Sequence, residues 1–597
     1  MTSSPELPPA VASMWRLCRL GYRHEPRLML VAFVLSLLAA LPDALLALWL
    51  ILLGRGVIDG QPSLVLAAAL GLGISATATW FLRIVSTRVQ RRFRDKVTIA
   101  LEAHVARLQA TVATIAHHER PEYLDLLAML RDQVFVLDHM YMSIFSTCGW
   151  VLRLAVTLAL LASVHAALVV LGVFALPAVW TSTWRPAVER AAQLRGAQAD
   201  RLARHLFTTA TTAPPGKEVR VTGIGPRLAV MRRASWERAY RFIAAARWGS
   251  AAWHTLAWAV FGAGYVGAIV FVAAGLGAPA GDVLLALAAG ARLSAYVSAT
   301  VAELGFLRGF WMDGARRLAW LEDYVAASTA AADLDPPDRL TAGIRVDRVS
   351  FAYPGTTRLV LEDVSLFLPA GSVVAIVGEN GAGKTTLVKL LAKMYEPTAG
   401  AIAVDDRPLA RIRADRWRSR LAGAFQDFFR FEFRARQTIG VGDVPRLDHE
   451  PAVLAAVGRA GAGDVVERLG AGLDTQLGPA WPGGVDVSFG QWQKLALARG
   501  FMRDEPLLLV LDEPTAALDA ETEHALFERY AAAAGDGAGA GRITILVSHR
   551  FSTVRMADTI VVLDGAHVVE TGTHQALMAR GGRYAELYGI QAAAYRR

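Results

Sequence analysis

Residues 373–386 read VVAIVGENGAGKTT. An apolar, β-branched run leads into Gly378-Glu379-Asn380-Gly381-Ala382-Gly383-Lys384-Thr385, which fits G-x-x-x-x-G-K-[ST]. The following TLVKLLAK has helical composition. Strand, glycine loop and helix are the context a phosphate-binding loop requires. Glycines let the backbone bend so that successive N–H groups point at phosphate oxygens, and the helix N-terminus adds positive potential. Lys384 is expected to neutralise the β- and γ-phosphates and Thr385 to ligate Mg²⁺.

Downstream, LLLVLDE at 507–513 is a buried strand that delivers two carboxylates to its C-terminal edge. Asp512 is expected to hold Mg²⁺ through water, and Glu513 to act as the general base on the attacking water. ILVSH at 545–549 is a further buried strand. It ends in His549, which is expected to contact the γ-phosphate.

Upstream the character of the chain changes. Hydrophobic residues make up 54% of the 597 positions and charged residues only 19%, against about a quarter charged in soluble proteins. Six apolar runs suffice to span a bilayer, near 28–53, 64–86, 141–163, 166–184, 250–276 and 281–307. Spans three and four are separated only by a tight turn around His165, so they are expected to form a helical hairpin. Two long connections, after spans two and four, carry Arg88, Arg91, Arg92 and Arg94, then Arg232, Arg233, Arg238 and Arg241. The short connections carry almost no cation, Arg55 excepted. The positive-inside rule therefore assigns the N-terminus, both long connections and the second half to the cytoplasm. The net charge of +9 follows from these loops, and no nucleic-acid partner is expected.

Each long connection reads as a helical extension with one break, His117-His118-Glu119-Arg120-Pro121 in the first and Thr211–Gly216 in the second. A helix that descends, breaks and returns presents a transverse tip to a cytoplasmic domain. Charges within the spans are Asp43, Arg153, Arg292 and Glu303; such residues face a bundle interior, a water-filled path or one another. Trp49, Trp80, Trp150, Trp180, Trp253 and Trp258 are expected in interfacial belts, with none assigned to a substrate site. Residues 11–23 suit either a helix on the membrane surface or a plain amphipathic linker. The two cysteines, Cys18 and Cys148, form no CxxC pair, so neither a disulfide framework nor a zinc site is expected. No signal peptide is read at the N-terminus. The division is 1–26 surface helix, 27–325 six-helix transmembrane domain, 326–341 linker and 342–597 nucleotide-binding domain.

Taken together, the motifs resemble the ATP-binding cassette family, in the exporter type that fuses membrane and nucleotide domains. The resemblance covers nearly the whole chain. It implies an all-α six-helix membrane domain (type I exporter, type IV fold), then an α/β P-loop ATPase domain with a helical subdomain. It further implies that Tyr353, in FAYPG, stacks on adenine, and that the phosphate loop runs from Gly378 to Thr386. Gln426, in AFQD, matches the glutamine that senses Mg²⁺. Val487-Ser488-Phe489-Gly490-Gln491 matches the family signature, Leu518-Asp519 the dimer-interface loop and His549 the switch histidine. Lys217-Glu218-Val219-Arg220 resembles the segment beside the second coupling helix. Two departures stand out. Phe489 replaces the usual Gly, which implies slower hydrolysis with function retained. Gly478–Gly484 lacks the acidic residue exporters often carry there.

In this family each ATP lies between the phosphate loop of one domain and the signature of another, so the resemblance implies a second half-transporter. A homodimer is favoured and a heterodimer is the alternative. The expected activity is ATP-driven export of an amphipathic small molecule, peptide or lipid from the inner (plasma) membrane. Uptake by the same fold, or a membrane-anchored ATPase that regulates a partner, are the competing readings.

Overall fold

The computed structural model describes residues 6–119, 123, 137–329, 332–513, 541–548 and 554–595. The chain divides into two compact units. One comprises Met1–Arg107 with Leu127–Leu321; the other comprises Leu108–Leu126 with Glu322–Arg597.

Among the described residues of the first unit, six helices are long and apolar enough to cross a membrane: Pro26–Ile58, Pro62–Thr111, His139–Val164, Ala166–Gln193, Gly225–Gly275 and Ala280–Phe306. The second and fifth outrun their apolar segments because the Arg-rich connections continue the helices without a breaker, as in the 50-residue run Pro62–Thr111. His165 forms the expected turn between spans three and four; its backbone is extended and its Nδ1 accepts from Ala167 N–H at 3.1 Å. The second long connection breaks after Thr211 into a short helix, Gly216–Val221, and resumes at Gly225. Residues 11–23 lie in a helix, Ala10–His24, that is packed by one face: Ser13, Leu17 and Gly21 are buried. The Tyr141 hydroxyl donates to Leu17 O at 2.6 Å. A Cβ at Gly21 would stand 2.7 Å from the Tyr141 ring, so the close approach needs glycine.

The tryptophans fall into two kinds of surroundings. Trp80, Trp180 and Trp253 are exposed on helix surfaces. Trp49 instead donates to Ser75 Oγ at 2.8 Å, Trp150 lies under the Arg153 guanidinium, and Trp258 lines a cavity among the helices. In these three the polar N–H or the π-face has a partner inside the unit.

Among the described residues, the second unit has two sheets. β1 (Gly343–Ala352), β2 (Leu359–Pro369), β4 (Ala399–Val404) and β5 (Arg407–Pro408) form an antiparallel sheet in the order β2-β1-β4-β5. The other sheet has the order β10-β9-β3-β8-β7-β6. Its strands β3 (Val373–Gly378), β6 (Leu421–Ala424), β7 (Leu508–Asp512), β8 (Ile543–Val547) and β9 (Thr559–Asp564) run parallel, with β10 (His567–Gly572) antiparallel at one edge. β7 and β8 are buried at every residue. Both faces are covered, which explains their unbroken apolar runs. One core fills the space between the two sheets; the other packs the parallel sheet against the helices of 435–502.

The break in the first long connection belongs to this second unit. Ile115 N–H donates to Met394 O at 2.9 Å. Arg418 Nη2 donates to Ala113 O, and the Tyr395 hydroxyl donates to Glu119. Ile115 and Ala116 pack against the inter-sheet core. The expected transverse tip thus folds with the ATPase-like unit. Arg120, Pro121 and Glu122 lie outside the described residues.

Candidate nucleotide site

Parallel strands place all their C-terminal ends along one edge, and that is where open α/β sheets bind ligands. β3 ends in the loop 378–383, β7 in Asp512 and Glu513, and β6 runs on to Phe425 and Gln426. A cavity of about 930 Å³ at this edge is lined by Tyr353, Gly378's successors from Glu379 to Thr386, Gln426 and Glu513, together with Arg358, Glu362 and Asp564–Ala566. Residues from five separate stretches of sequence, as distant as 353 and 566, therefore meet in one space.

The loop geometry needs its glycines. Gly378, Gly381 and Gly383 have φ of 154°, 85° and 97°. A Cβ at Gly378 would sit 2.2 Å from Leu563 O, and one at Gly383 2.8 Å from Val360 O. Lys384 opens the helix Lys384–Leu391 and turns back on the loop, where Nζ donates to Gly378 O and Glu379 O at 2.9 Å each. Burial pushes its pKa down from the ordinary lysine value, against the pull of Glu513 and Asp512. Among the described residues the ammonium's hydrogen bonds go to two neutral carbonyls, and a phosphate would supply a charged acceptor.

Asp512 is fully buried. Thr385 Oγ1 reaches its Oδ1 at 3.4 Å, while Oδ2 has no hydrogen-bond partner among the described residues. Burial foremost, with Glu513 and Asp427 nearby, raises its carboxyl to about 6, partly offset by the Thr385 hydrogen bond and Lys384. A buried carboxylate with an unpartnered oxygen is costly unless a cation joins it. The donors gathered here are a hydroxyl, a carboxylate and the Gln426 amide oxygen, all hard oxygens of the kind Mg²⁺ accepts. The residues present therefore fit the ion. Gln426 Nε2 donates to Glu513 Oε2 at 2.7 Å. Glu513 sits at φ 46°, a left-handed backbone that a non-glycine residue adopts only when its surroundings impose it. Its N–H is tied to Val547 O at 3.0 Å.

Tyr353 stands at the mouth, its ring packed edge-on to Phe351 and Tyr395. Its hydroxyl pairs with Thr386 Oγ1 at 2.9 Å. Lys389 Nζ stands 6.0 Å from the ring centroid.

Ser488, Gly490 and Gln491 are not among the residues lining this cavity. Ser488 caps the helix Phe489–Gly500. Its Oγ accepts from Gln491 N–H at 3.3 Å and its N–H donates to Gln491 Oε1 at 2.8 Å. This reciprocal box explains the residue types locally and leaves the helix N-terminus open to an external group. Phe489 is half exposed, beside Phe428 and under the Arg430 guanidinium. Leu518, Asp519 and His549 lie outside the described residues.

Sequence reading missed Glu432. Its carboxylate accepts from Trp481 Nε1 at 3.0 Å, and a Cβ on Gly478 would touch it at 2.5 Å. The stretch 478–484 thus has an acidic group after all, delivered from a different loop; Gln476 bonds to Glu432 O and Leu477 to Phe433 O to hold the two loops together. Only pairing of two distant loops could reveal it. The charges of the membrane unit were also unresolved by sequence. Asp43 accepts from Arg153 Nε at 3.0 Å, Arg292 Nη1 at 2.7 Å and the Tyr296 hydroxyl at 3.1 Å, and Glu303 accepts from Ser143 Oγ at 2.8 Å.

Residues 361–516 match the ABC transporter family. Among curated proteins, the ATP-dependent lipid A-core flippase of Alkalilimnicola ehrlichii is 40% identical over 259 residues, which is 43% of this chain and 42% of that protein. The same-named protein of Ralstonia nicotianae is 40% identical over 256 residues, 42% of each. The match thus spans about two fifths of the length of these relatives. Among solved structures, a bacterial Atm1-family ABC exporter with ATP bound superposes with a TM-score of 0.74 at 23% identity, covering 95% of this chain and 99% of that one.

Proposed function

From a chain with the fold of an ABC exporter and an ABC transporter domain at residues 361–516, we propose one half of a dimeric, ATP-driven membrane exporter of amphipathic molecules. The six apolar helices make it a multi-pass membrane protein. Its relatives named as lipid flippases support a lipid-like cargo, and the Arg-rich connections support a cytoplasmic ATPase domain at the inner membrane.

The observation that carries the reading is the separation of the cavity at 353–566 from the capped helix at Ser488. Among the described residues the chain offers the phosphate cradle at 378–386 and, outside its lining, the helix N-terminus at Ser488; two copies related by a closed two-fold complete two sites. In each site the Gly378–Thr386 loop and Lys384 grip the triphosphate, and Tyr353 stacks on adenine. Ser488, Gly490 and Gln491 of the other copy close over the γ-phosphate. Thr385, Asp512 and Gln426 would hold a magnesium ion, which supplies positive charge at the phosphate oxygens. Glu513, fixed by Gln426, takes the proton of the attacking water, and His549 steadies the γ-phosphate. Leu518 and Asp519 line the contact between copies. Closure is passed to the helices through 117–122 and 212–220, a ligand-driven switch between two arrangements.

The test is ATP hydrolysis by the purified chain in lipid nanodiscs, with oligomer mass recorded alongside, and uptake of a fluorescent lipid into inside-out vesicles. Turnover by a dimer and ATP-dependent lipid movement are expected. A turnover-competent monomer, or hydrolysis without any transport, would sink the proposal.

A further inference from the structure

A second cavity, of about 560 Å³, lies among the membrane helices, within the about 300–1,000 Å³ that small-molecule sites occupy. One wall is a single face of Ala166–Gln193, carrying Ala178, Ser182, Arg185, Glu189 and Gln193 at helical spacing. The opposite wall is a face of Ala280–Phe306 rich in small residues, Ser298, Ala302 and Gly305, with Val297, Val301 and Phe306 beside them. Trp258 and His254 close the third side. Small side chains on two facing helices leave the space.

The polarity of the cavity is graded. At roughly 1.5 Å per residue, Arg185, Glu189 and Gln193 stand about 28, 34 and 40 Å along the helix from Ala166. The hydrocarbon layer is about 30 Å thick, so these three reach one headgroup region. Ala178, about 18 Å along the same span, remains at apolar depth, and Trp258, Val297 and Val301 supply apolar lining beside it. That gradient is the gradient of a leaflet amphiphile.

The charge is balanced. Arg185 Nε donates to Glu189 Oε1 at 2.8 Å, which occupies one of five guanidinium N–H groups and one carboxylate oxygen. His254 adds no charge. Trp258 Nε1 can only donate, and it donates to His254 Nε2 at 3.0 Å. That nitrogen is therefore unprotonated, and the ring is neutral with its proton on Nδ1, 3.1 Å from Thr181 Oγ1.

We propose that this cavity is a binding site for a zwitterionic amphiphile. Its anionic group engages the remaining guanidinium N–H groups of Arg185 and its cationic group the second oxygen of Glu189, with the tail along Trp258, Val297 and Val301. A headgroup of one sign gains one partner and meets repulsion from the other. The inference rests on the transporter reading, which it refines by naming the class of cargo.

The experiment is native mass spectrometry of the full chain in maltoside, titrated with three dihexanoyl lipids of equal tails: phosphatidylcholine, phosphatidylglycerol and a trimethylammonium-propane. The wild type is expected to bind phosphatidylcholine at least about tenfold more tightly than either singly charged lipid. Ser298→Trp should abolish that preference by filling the cavity. Glu189→Gln should shift it towards phosphatidylglycerol, and Arg185→Gln towards the cation. The double swap Arg185→Glu with Glu189→Arg keeps the balance and should keep the preference, which controls for folding. Equal ranking of the three lipids by wild type and Ser298→Trp, or tightest binding of phosphatidylglycerol by wild type, overturns the site. ATP turnover is measured on the same preparation. Turnover without headgroup preference removes the site and leaves the transporter; headgroup preference without turnover does the reverse.

Discussion

Asp43 and Asp512 are both carboxylates set among apolar side chains, one within the membrane helices and one at the end of a buried strand. They meet opposite fates. Asp43 is surrounded by its own chain: two guanidiniums and a tyrosine hydroxyl, none closer in sequence than 110 residues. Asp512 is left with a single long contact from Thr385 and one oxygen with no partner among the described residues. A structural acid is satisfied in the folded chain. An acid kept for a ligand is left short, and the protein carries that cost until the ligand comes.

The contrast can be broken by substitution. The largest effect is expected beside Asp512: Glu513→Gln should lower phosphate release by at least about 100-fold while ATP binding persists, and Asp43→Asn should leave nucleotide affinity unchanged. Next come the two Asp→Asn exchanges compared as stabilities, which should have opposite signs. Asp43→Asn strands Arg153 and Arg292 around a neutral acceptor and should lower stability by roughly 2–4 kcal/mol, read as an earlier unfolding transition in detergent. Asp512→Asn, without Mg²⁺ or nucleotide at pH 7, removes an ion whose burial is unfavourable and should raise stability by about 1–3 kcal/mol. Destabilisation by both would erase the distinction.

The pH dependence follows from the same carboxyl. Asp512 titrates at about 6 when folded, above the ordinary carboxylate value, so its ionised form destabilises the fold and that penalty disappears as pH falls through 6 towards 4. Mg²⁺ needs the ionised form. Magnesium-dependent ATP affinity should therefore fall about tenfold per unit below pH 6, and the slope should vanish in Asp512→Asn. The smallest effect concerns the ring at the mouth. Tyr353→Leu should weaken ATP binding about 2- to 10-fold, whereas Tyr353→Phe, which loses only the Thr386 contact, should change it little.

What could be read in advance divides along the same line. The loop 378–385, the strand ending at Asp512–Glu513 and the six spans were legible because each is local: spacing, glycine and unbroken apolarity are properties of a short window. The partners of Asp43 were not, since the residues that neutralise it come from two other helices, more than 100 residues away. Glu432 escaped for the same reason, reaching Gly478 and Trp481 from a loop with no motif. Trp258 could not be placed in advance, because belts and cavities draw on the same amphipathic ring. Residues that line the cradle could be named from sequence; its depth, its orphaned oxygen and the strain at Glu513 needed three dimensions.

The short stretch around Ile115 has a practical consequence for anyone who cuts or grafts this gene. The ATPase-side unit is not one continuous piece of coding sequence: it takes in Leu108–Leu126 from far upstream. A fragment begun at residue 342 would lack the backbone that meets Met394 and Arg418, and would bare part of the inter-sheet core where Ile115 and Ala116 rest. Chimeras that exchange 342–597 between relatives import a foreign receptor for a native plug. The interchangeable module is the pair, so Ala113–Glu119 should travel with Met394, Tyr395 and Arg418 across any graft junction.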